Sequence, residues 1–531
     1  MKLPNYSRAA LILALPIVLY AVIRRRYVWF PSYLKVASAT TLNIILNAVT
    51  LGRYVWLEGR VCGGVFRNWA RRFRYRPQRI VLPTTEEEIV ELVKSSRSLR
   101  VFGSGHSFNS GVVSDETLVS LDDYSGLICK YPDRNQIAVR GGTRVRDVVK
   151  LLSDEGLAFE ALPSHDAQSI AGILSTDVHG TGKIYGTEEE KWGFVSESVV
   201  SLKLIDGRGQ IHECEPSDDL FKAAIGGIGA VGIITEVVVQ GVPRFNVEQK
   251  VEMRDISFDK ENEEDPNEED PNEKDFNEIL RDGLINNDHF SLYLFPFASR
   301  CQVNTWNRKE KSQTIVGGLL ESIELSKGRL REFVNISIDA LAAAWIGNLI
   351  AYTGCLPQAE RTYGGIRGGS NLLLESNKGF NRTIYHLHQE LEFTVPFEDT
   401  FKECKRFIRR YEDLYRELHP SGLPYTLFEV RFTPEHDRTL IGAGRGGPSA
   451  WIDLVCNDSE GFERYYAEAE RMMKEIVARP HLGKFCESFN QADMRRLHGN
   501  NLTRFLELVE VHDPDGKFAN SFTRRLLGHE A

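Results

Sequence analysis

The sequence has few features of a nucleic-acid-binding, metal-binding or disulfide-stabilised protein. Its formal net charge is only −9, and ten acids against two lysines in residues 259–275 give that segment alone a net charge of −8. The rest of the chain is close to neutral, so nothing indicates a nucleic-acid-binding surface. The eight cysteines lie far apart and include no CxxC pair, which argues against a metal finger or a disulfide framework. They are typical of free thiols in a protein that is intracellular or faces the cytosol, and we predict no metal site.

Acidic residues are also absent from the N-terminal region. Residues 1–57 contain no aspartate or glutamate but seven lysines and arginines. Within them, Ala9–Ile23 is an uncharged run of fifteen residues, shorter than the ~20 needed to cross a bilayer unaided. Arg24–Arg26 follows it, where a cleaved signal peptide would have small residues. Aromatic residues surround its end, as interfacial anchors do, and a weaker apolar stretch covers 36–51.

We therefore predict that residues 1–60 form an uncleaved membrane anchor or interfacial helix. A mitochondrial leader and a helix packed on the protein itself are the alternatives. Basic residues are nearly balanced on the two sides of the run, so the positive-inside rule only slightly favours a cytosolic catalytic body. Membrane-associated is thus the predicted location, with a mitochondrial location as the alternative.

The rest of the chain has the composition of a folded protein. At 531 residues, with 42% hydrophobic and 26% charged residues, it is long enough for roughly two to four domains. Short strands alternate with helices after residue 79, which predicts an α+β domain over residues 75–243. The clearest predicted strands are Leu99–Phe102, Val199–Ile205 and Ile233–Gln240, and a helix is predicted over 144–155.

A second domain of mixed strands and helices is predicted over residues 244–484. It contains a duplicated acidic pentapeptide at 263–267 and 268–272. Such a composition cannot bury enough apolar surface to fold, so residues 259–275 are predicted to be a disordered, solvated insert. An acidic docking site is the alternative. Residues 485–531 are apolar enough to dock back on the body of the protein.

Three glycine-rich motifs suit the binding of a ligand by backbone groups. Gly103–Phe108 follows a strand, and its glycines permit N–H groups to converge on a phosphate, although an ordinary turn has the same pattern. Gly172–Gly182 combines small residues, hydroxyls and His179, which suits either a cofactor groove or a structural histidine. Gly227–Gly232 matches GxGxxG, but a helix precedes it and a strand follows, which is the reverse of a dinucleotide fingerprint.

The order of these elements resembles that of a known enzyme family. The chain is similar to the FAD-linked oxidases of the vanillyl-alcohol oxidase type, in the sugar-lactone and alditol oxidase branch. The resemblance covers residues 75–528, and departs from the family pattern in the N-terminal segment, the acidic insert and Leu482, where the family usually has tryptophan. The matching pieces are Gly103–Phe108, Val139–Gly142, Ser175–Gly182, Gly226–Val237, Phe428–Phe432, His481–Lys484 and Asp513–Asn520.

The resemblance implies an α+β fold, with a two-lobed FAD-binding domain and an α+β cap domain. The loop 103–107 would hold the pyrophosphate, and His106 would be the covalent anchor of the flavin, or else only a hydrogen-bonding residue of the loop. An imidazole nitrogen is nucleophilic near neutral pH, and such a bond prevents loss of the cofactor. The cofactor-binding residues implied are Gly103, Ser104, Gly105, His106, Ser107, Gly172, Ser175, Thr176, His179, Gly180 and Ile233.

The catalytic residues implied are Glu429, Arg431 and Lys484. Glu429 and Arg431 are two apart on a predicted strand and therefore share a face, as an ordinary surface ion pair would also do. In the family's catalytic strand, Arg431 would stabilise the charge that hydride transfer places on the flavin. Glu429 would orient Arg431 and the substrate hydroxyls. Lys484 would assist proton removal from the reacting hydroxyl if its pKa is lowered. His481 would act only indirectly, by positioning these residues.

The predicted reaction transfers a hydride from a hydroxyl-bearing carbon of a sugar-1,4-lactone or polyol to FAD. By the resemblance, Gly141 stands near the place where the family controls access to the flavin edge. A glycine there leaves room for O₂, which favours O₂ as the acceptor and hydrogen peroxide as the product. The alternatives are electron transfer to a quinone or cytochrome, and oxidation of a lipid-linked sugar or a sterol at the membrane. A flavoprotein without activity that serves as a binding factor is a third possibility, disfavoured by the intact catalytic residues.

Overall fold

The structure is a computed structural model that describes most of the chain. The described residues are 30–49, 60–62, 64–114, 116–186, 192–256, 258, 271–310, 315–353, 355–363, 370–380, 387–418, 423–444, 446–458 and 461–528. The apolar run at 9–23 and the acidic residues 259–270 lie outside them, so the predictions on those segments stay predictions.

The first lobe contains two small sheets that follow the N-terminal helix. Strands β1–β3 form an antiparallel sheet, and β4–β6 form a parallel sheet in the order β4-β6-β5. The elements are α1 (Phe30–Val49), β1 (Arg60–Cys62), β2 (Val65–Arg67), β3 (Arg74–Tyr75), β4 (Arg79–Val81), α2 (Glu86–Ser95), β5 (Leu99–Phe102) and β6 (Thr117–Ser120).

Helix α2 shows why these local predictions succeed. Thr85 caps its N-terminus by accepting a hydrogen bond from the Glu88 amide, and the Glu88 carboxylate accepts one from the amide of Thr84. Three glutamates fill the first turn, where the helix dipole favours negative charge. Ile89, Leu92 and Val93 then form its buried face.

The second lobe is built on a five-stranded antiparallel sheet in the order β13-β12-β14-β8-β7. The predicted strands over 199–205 and 233–240 are confirmed with the same bounds, and the predicted helix is α3. The elements are β7 (Leu127–Tyr131), β8 (Gln136–Arg140), α3 (Val145–Asp154), β9 (Leu157–Ala158), α4 (Ile170–Ser175), β10 (His179–Lys183), β11 (Trp192–Phe194), β12 (Val199–Ile205), β13 (Ile211–Cys214), α5 (Asp219–Ala224), β14 (Ile233–Gln240) and β15 (Val242–Pro243), with 3₁₀ turns at Pro132–Arg134 and Val195–Ser198.

An eight-stranded antiparallel sheet dominates the second half of the chain. Its strand order is β19-β16-β18-β17-β21-β22-β20-β23. Apart from the consecutive pairs β17–β18 and β21–β22, neighbours in space are not consecutive strands of the chain. The strands are β16 (Asn246–Asp255), β17 (His289–Leu294), β18 (Arg300–Lys309), β19 (Ser370–Glu375), β20 (His388–Pro396), β21 (Thr426–Thr433), β22 (Ser449–Asn457) and β23 (Arg479–Pro480).

Helices cover one face of this sheet and leave the other for the site. Apolar residues of β20 and β22 face the helices; for example, the rings of Phe393 and Phe407 lie 4.7 Å apart. The helices are α6 (Pro271–Asn286), α7 (Ile315–Leu341), α8 (Asn348–Thr353), α9 (Leu356–Tyr363), α10 (Ser376–Phe380), α11 (Thr400–Leu418), α12 (Phe462–Glu475), α13 (Gln491–His498), α14 (Asn500–His512) and α15 (Ser521–Leu527), with a π-helical turn at Ala342–Gly347 and a 3₁₀ turn at Phe397–Asp399.

The acidic insert ends earlier than predicted. Residues 271–275, included in the predicted disordered segment, form the first turns of α6. Proline is favoured at the start of a helix, because the first N–H groups of a helix have no hydrogen-bond partner within it and proline lacks only such a group. Phe276, Leu280 and Leu284 then recur at helical spacing and are buried, so the apolar face that follows the acids orders this end of the segment.

Two segments from the ends of the chain pack on the body. The Asn520 side chain donates to the carbonyl oxygens of Ser110, Gly111 and Val113 at 2.9–3.2 Å, which ties the C-terminal segment to the first lobe. Helix α1 lies against the π-helical turn, where the Trp345 indole N–H donates to the Thr41 hydroxyl. The part of residues 1–60 that the structure describes as a helix therefore contacts the protein itself.

Candidate active site

A deep groove lies between the two lobes and the uncovered face of the eight-stranded sheet. It contains about 1440 Å³ of empty space, including the part that opens to solvent. Loop 103–109, helix α4 and the start of β14 form one side. Strands β20 and β21 and the segment 481–484 form the other.

Loop 103–107 has the backbone geometry that its glycines predicted. Gly105 has a φ of +65°, in the left-handed region that favours glycine. A Cβ on Gly103 would lie 2.2 Å from the Ser169 hydroxyl, so only glycine permits this approach to α4. Gly103, Ser104, Gly105, His106 and Ser107 all line the groove.

A buried arginine that the sequence analysis missed holds this side of the groove together. Arg100 donates to the carbonyl oxygens of Gly111 (2.7 Å), Phe518 (2.6 Å) and Ile228 (2.7 Å), in three separate segments of the chain. Burial lowers the pKa of Arg100 to about 10, so the guanidinium stays charged at neutral pH. Its charge lies close to the glycine loop, which suits an anionic ligand.

His106 presents an unpartnered nitrogen in the groove. Its ring stacks on Trp69 at 5.3 Å and lies 5.1 Å from the ring of His165. Among the described residues, nothing accepts or donates a hydrogen bond at its buried Nε2 atom. Burial, reinforced by the Arg144 charge, lowers the pKa of His106 to about 3, so the imidazole is neutral and nucleophilic.

Helix α4 and strand β10 place most of the second predicted motif in the groove. Gly172, Ser175, Thr176 and His179 line it, and so does Ile233 at the start of β14. Gly180 does not line it. A Cβ there would lie 2.7 Å from the Leu162 carbonyl oxygen, so this glycine serves a close backbone contact.

The third motif is not a dinucleotide fingerprint, as its order predicted. Helix α5 precedes the glycines and strand β14 follows them. Ile228, Gly229 and Gly232 still line the groove, so this turn brings backbone close to a bound ligand.

Gly141 has a packing role that the sequence analysis did not anticipate. A Cβ on it would lie 2.2 Å from the Ile234 carbonyl oxygen and 3.3 Å from Ala171. It is also missing from the residues that line the groove. The glycine is therefore explained by the contact between β8 and β14, and it gives no support for a path for O₂.

Glu429 and Arg431 share a face of β21, as their spacing predicted. Arg431 lines the groove, whereas Glu429 does not. The Arg431 Nε atom is 3.8 Å from the Glu429 carboxylate, but its Nη2 atom is only 2.7 Å from Glu392 on β20. Glu392, absent from the predicted site, is therefore the main partner of Arg431.

The strand register explains this row of carboxylates. Glu392 lies directly opposite Asp453 on β22, and Asp453 lies opposite Glu429 on β21. Side chains at matched positions of neighbouring strands share one face of a sheet. The three carboxylates therefore form one line along the uncovered face, beside Arg431.

Lys484 is held by carboxylates and not by cations. Its ammonium group forms an ion pair with Glu390, and its Nζ atom is 3.8 Å from Asp453 and 3.9 Å from Glu392. Burial alone would lower the pKa of Lys484, but these negative charges raise it above its usual value. The condition for proton removal by Lys484, a lowered pKa, is therefore not met, and the charged ammonium group can only donate hydrogen bonds.

Charge balance assigns the protonation of the carboxyl groups. Glu390, Glu392 and Asp453 are buried around two cations, Lys484 and Arg431. Burial opposes ionisation of all three, yet Lys484 holds the pKa of Glu390 well below its usual range, and Arg431 does the same for Glu392. Burial and the negative charge of Glu390 raise the pKa of Asp453 far above its usual value. Asp453 is thus the neutral acid of the cluster.

The segment 481–484 is tied to both sides of the groove. The His481 amide donates to the Glu392 carbonyl oxygen at 2.9 Å, and its Nδ1 atom accepts from the Gly483 amide at 3.0 Å. Asn109 donates to the carbonyl oxygens of Leu482 (2.6 Å) and Lys484 (2.8 Å). Leu482, where the family pattern has tryptophan, is buried at the groove wall.

These features fit FAD. The groove offers a glycine-walled loop for phosphates, a neutral histidine with an unpartnered nitrogen and, on the opposite wall, the two cations Arg431 and Lys484, paired with Glu392 and Glu390. Among the described residues, the buried Glu392 Oε2 and Asp453 Oδ1 atoms also have no hydrogen-bond partner. Buried polar atoms are normally hydrogen-bonded, so these two atoms are available to polar groups of a ligand.

Most of the site residues that the motifs did not predict lie in strands where polar and apolar residues alternate. In β20, polar Glu390, Glu392 and Thr394 alternate with apolar Leu391, Phe393 and Val395. A strand that buries charged residues at every second position is typical of a site on one face. Asp453 has the same signal in β22, between Ile452 and Leu454, whereas Arg100 has none.

Two family models match the chain. The model described as D-arabinono-1,4-lactone oxidase matches residues 262–526, and the model described as FAD binding domain matches residues 77–215. Together they cover both sides of the groove.

Curated relatives match over most or part of the chain. The L-gulono-1,4-lactone dehydrogenase of Mycobacterium tuberculosis is 26% identical over 474 residues, which span 87% of this chain and 99% of that protein. The D-arabinono-1,4-lactone oxidase of Saccharomyces cerevisiae is 35% identical over 199 residues, 36% of each chain. Among solved structures, a cholesterol oxidase from Brevibacterium sterolicum has a TM-score of 0.63 at 14% identity and covers 87% of this chain and 96% of its own. That last likeness shows a shared fold.

Proposed function

We propose that this chain, which belongs to the family of FAD-dependent sugar-1,4-lactone oxidoreductases, oxidises a hydroxyl-bearing carbon of a sugar-1,4-lactone or a related polyol. The family predicted from the sequence motifs is confirmed. The observation that carries the proposal is the pair of cations, the buried Arg431 and the half-buried Lys484, on the wall opposite the glycine loop. FAD, when bound, supplies the hydride acceptor.

The residues of the chain divide the work of this reaction. Loop 103–107, with the Arg100 charge behind it, binds the phosphates, and Arg431 presents a fixed positive charge where negative charge develops. Lys484 donates a hydrogen bond to the reacting hydroxyl oxygen. Glu390, paired with Lys484 at the groove wall, is the carboxylate placed to receive the hydroxyl proton. The buried Glu392 keeps Arg431 in position.

The proposed acceptor of the electrons is O₂, which becomes hydrogen peroxide as the hydroxyl carbon becomes a carbonyl. The alternative is a quinone or a cytochrome. We expect purified protein to consume one O₂ for each lactone oxidised when L-gulono- or D-arabinono-1,4-lactone is added. Lactone-dependent reduction of a quinone analogue without O₂ uptake would identify a dehydrogenase. A folded, flavin-loaded protein that reduces neither acceptor with any lactone or polyol would contradict the proposed reaction.

We propose further that FAD is bound covalently through His106. The neutral ring and the unpartnered Nε2 atom support this bond. After acid precipitation, we expect the yellow colour to stay in the pellet of the wild-type protein and to move to the supernatant for His106→Ala. His165→Ala, which removes a neighbouring imidazole of the same groove, is the matched control and should keep colour in the pellet. Colour in the supernatant of the wild-type protein would show that His106 is only a loop residue.

We also propose that the protein is membrane-associated, with its catalytic body in the cytosol and a mitochondrial membrane as the alternative. The acid-free N-terminal sequence and its three consecutive arginines support this location. A fusion of the full chain to a fluorescent protein should sediment with membranes after cell lysis and resist extraction by high salt. Recovery of the full chain in the soluble fraction would contradict this proposal.

A further inference from the structure

Helix α7 is amphipathic but exposes its apolar side, whereas an ordinary surface helix buries it. Its large apolar side chains Val316, Leu320, Ile323, Leu330, Val334 and Ile338 recur every three, four or seven residues and are 44–69% exposed. Such spacing places them on one stripe of the helix. On a soluble helix this stripe would face the core, yet here it faces outward.

The side of α7 that faces the protein carries mainly polar and small groups, together with the half-buried Leu325, Phe333 and Ile336. Glu332 and Ser337 are buried, and Glu321 accepts a hydrogen bond from the Asn246 side chain of β16. A Cβ on Gly328 would lie 2.1 Å from the Leu373 carbonyl oxygen of β19, so the helix backbone lies directly against the sheet edge. The packing of α7 therefore uses its polar side and leaves the apolar stripe uncovered by the described residues.

The second half of helix α1 has the same inversion, because Thr40, Asn43 and Asn47 are buried, whereas Leu42, Ile45 and Val49 are exposed. Its first half buries apolar residues in the ordinary way, for example Val36 and Ala37. The two helices meet at the π-helical turn that follows α7, where Trp345 donates to Thr41 and its ring contacts Tyr33 edge-on at 5.9 Å. We call the exposed apolar side chains of α1 and α7 the outer face.

An outer face of this size is unusual for a soluble monomer. Contiguous exposed apolar surface beyond a few hundred Å² marks a site of interaction with a protein or a membrane. The helical stretch Val316–Thr353 is 38 residues long, and its most apolar window of 18 residues has a mean hydropathy of 1.5, with 33% of that window buried. By length and composition alone it could cross a bilayer, but α7 is attached along its polar side to the cap sheet.

We propose that the outer face docks on a lipid bilayer, with α1 and α7 lying in the membrane plane. This deepens the proposed membrane association by assigning it a surface of the folded body. The chain that precedes α1 favours a bilayer over a second protein copy, because Ala9–Ile23 is apolar and arginines follow it. Ile23 is seven residues before Phe30, so it lies within about 25 Å of the helix.

The composition of the outer face agrees with an interfacial position. Lys327 interrupts the apolar stripe but pairs with Glu324, and a lysine can extend its charged end to the lipid headgroups. Trp345, 38% exposed, lies where the two helices join, and tryptophan prefers the boundary between lipid and water. A helix with one apolar side inserts that side ~5–10 Å into this boundary.

Hydroxyl-radical footprinting of the full chain tests the proposal, since it reports the solvent exposure of individual side chains. When phosphatidylcholine vesicles are added, oxidation of Leu319, Leu320 and Ile323 should fall by about tenfold, because insertion removes these side chains from water. Exposed apolar residues elsewhere, Ile128, Ile211 and Val511, are internal controls and should not change.

A triple variant gives the second readout. In Leu319→Asn/Leu320→Asn/Ile323→Asn, vesicles should no longer protect Leu330, while the N-terminal segment keeps the protein on the vesicles. The control variant Ile128→Asn/Ile211→Asn/Val511→Asn should keep Leu330 protected. Both variants should retain the flavin spectrum of the wild-type protein.

The possible failures have different meanings. If the full chain binds vesicles but oxidation of the outer face does not change, the docking surface is wrong and the membrane association stands. If the chain does not bind vesicles at all, both proposals fall. If the outer face is already protected without vesicles, its occupant is a segment of this chain or a second copy, and the bilayer proposal is overturned.

Discussion

Replacement of Arg431 by alanine should lower the rate of flavin reduction by lactone by about 10²–10³-fold, the loss found when a preorganised charge is removed from a reaction centre. Arg431 is buried, lines the groove and holds its guanidinium against Glu392 at 2.7 Å. A charge fixed in this way need not reorient as negative charge develops. The loss should therefore appear in the limiting rate of anaerobic reduction, measured by stopped flow, more than in the lactone concentration that half-saturates it.

Two further variants separate chemistry from folding. Arg431→Lys keeps the charge but cannot make the fork of hydrogen bonds, so an intermediate rate is expected. Arg254→Ala removes an exposed arginine of the same sheet and should leave the rate unchanged. Since Arg431→Ala also leaves buried carboxylates without their cation, the flavin spectrum and the melting temperature must be measured alongside. Full-rate reduction by a folded Arg431→Ala protein would remove Arg431 from the mechanism.

Local patterns in the sequence predicted the FAD-binding lobes well. The strands at 99–102, 199–205 and 233–240 have the predicted bounds. A short apolar run between turn residues is a local pattern, so it predicts a strand without information from the rest of the chain. The glycine loop at 103–107 also lies where the motif predicted it, because positive φ at Gly105 is a property of that residue itself.

The carboxylates of the site could not be predicted in this way, because they meet through long-range strand pairing. Glu392 and Arg431 are 39 residues apart and become neighbours only because β22 pairs with both β20 and β21. A shift of one residue in either pairing would turn each side chain to the other face of the sheet. The raised pKa of Lys484 could not be predicted for the same reason, since it depends on carboxylates from strands β20 and β22.

The outer face was missed for a different reason. The apolar spacing of α7 predicts a helix with one apolar side but not which side meets the protein. Two contacts decide which side meets the protein. The backbone of the edge strand β19 lies close to Gly328, and the Asn246 side chain donates a hydrogen bond to Glu321. Both are tertiary contacts, and the helical pattern alone would have placed the stripe in the core.

The second large effect is expected for the pair formed by the half-buried Lys484 and the buried Glu390, in a double-mutant cycle. Lys484→Met leaves the buried Glu390 without its ammonium partner and with the His388 imidazole 3.0 Å away, and breaking a buried ion pair costs about 3–5 kcal/mol. Glu390→Gln should cost less, because Lys484 still has Asp453 and Glu392 within 4 Å. The double variant Lys484→Met/Glu390→Gln, with neither charge, should regain most of the free energy of unfolding that Lys484→Met loses.

The cost of Lys484→Met should depend on pH. In the wild-type protein Lys484 holds the pKa of Glu390 below its unfolded value, so this pair stabilises the fold above that value and loses its effect in acid. Without the cation, burial opposes ionisation of Glu390, so the variant is penalised only where the carboxyl must ionise. The difference in unfolding free energy from wild type should therefore be largest near neutral pH and shrink as the pH falls toward about 4, the unfolded value.

Activity should not follow stability in this cycle. If Lys484 donates to the reacting hydroxyl and Glu390 receives its proton, then both single variants and the double variant should reduce flavin about 10²–10⁴-fold more slowly, as for loss of a general acid or base. A pair that serves only the fold would instead regain activity together with stability in the double variant. Recovery of both quantities would therefore exclude the proposed proton transfer, whereas recovery of stability alone assigns the pair to the chemistry of the site.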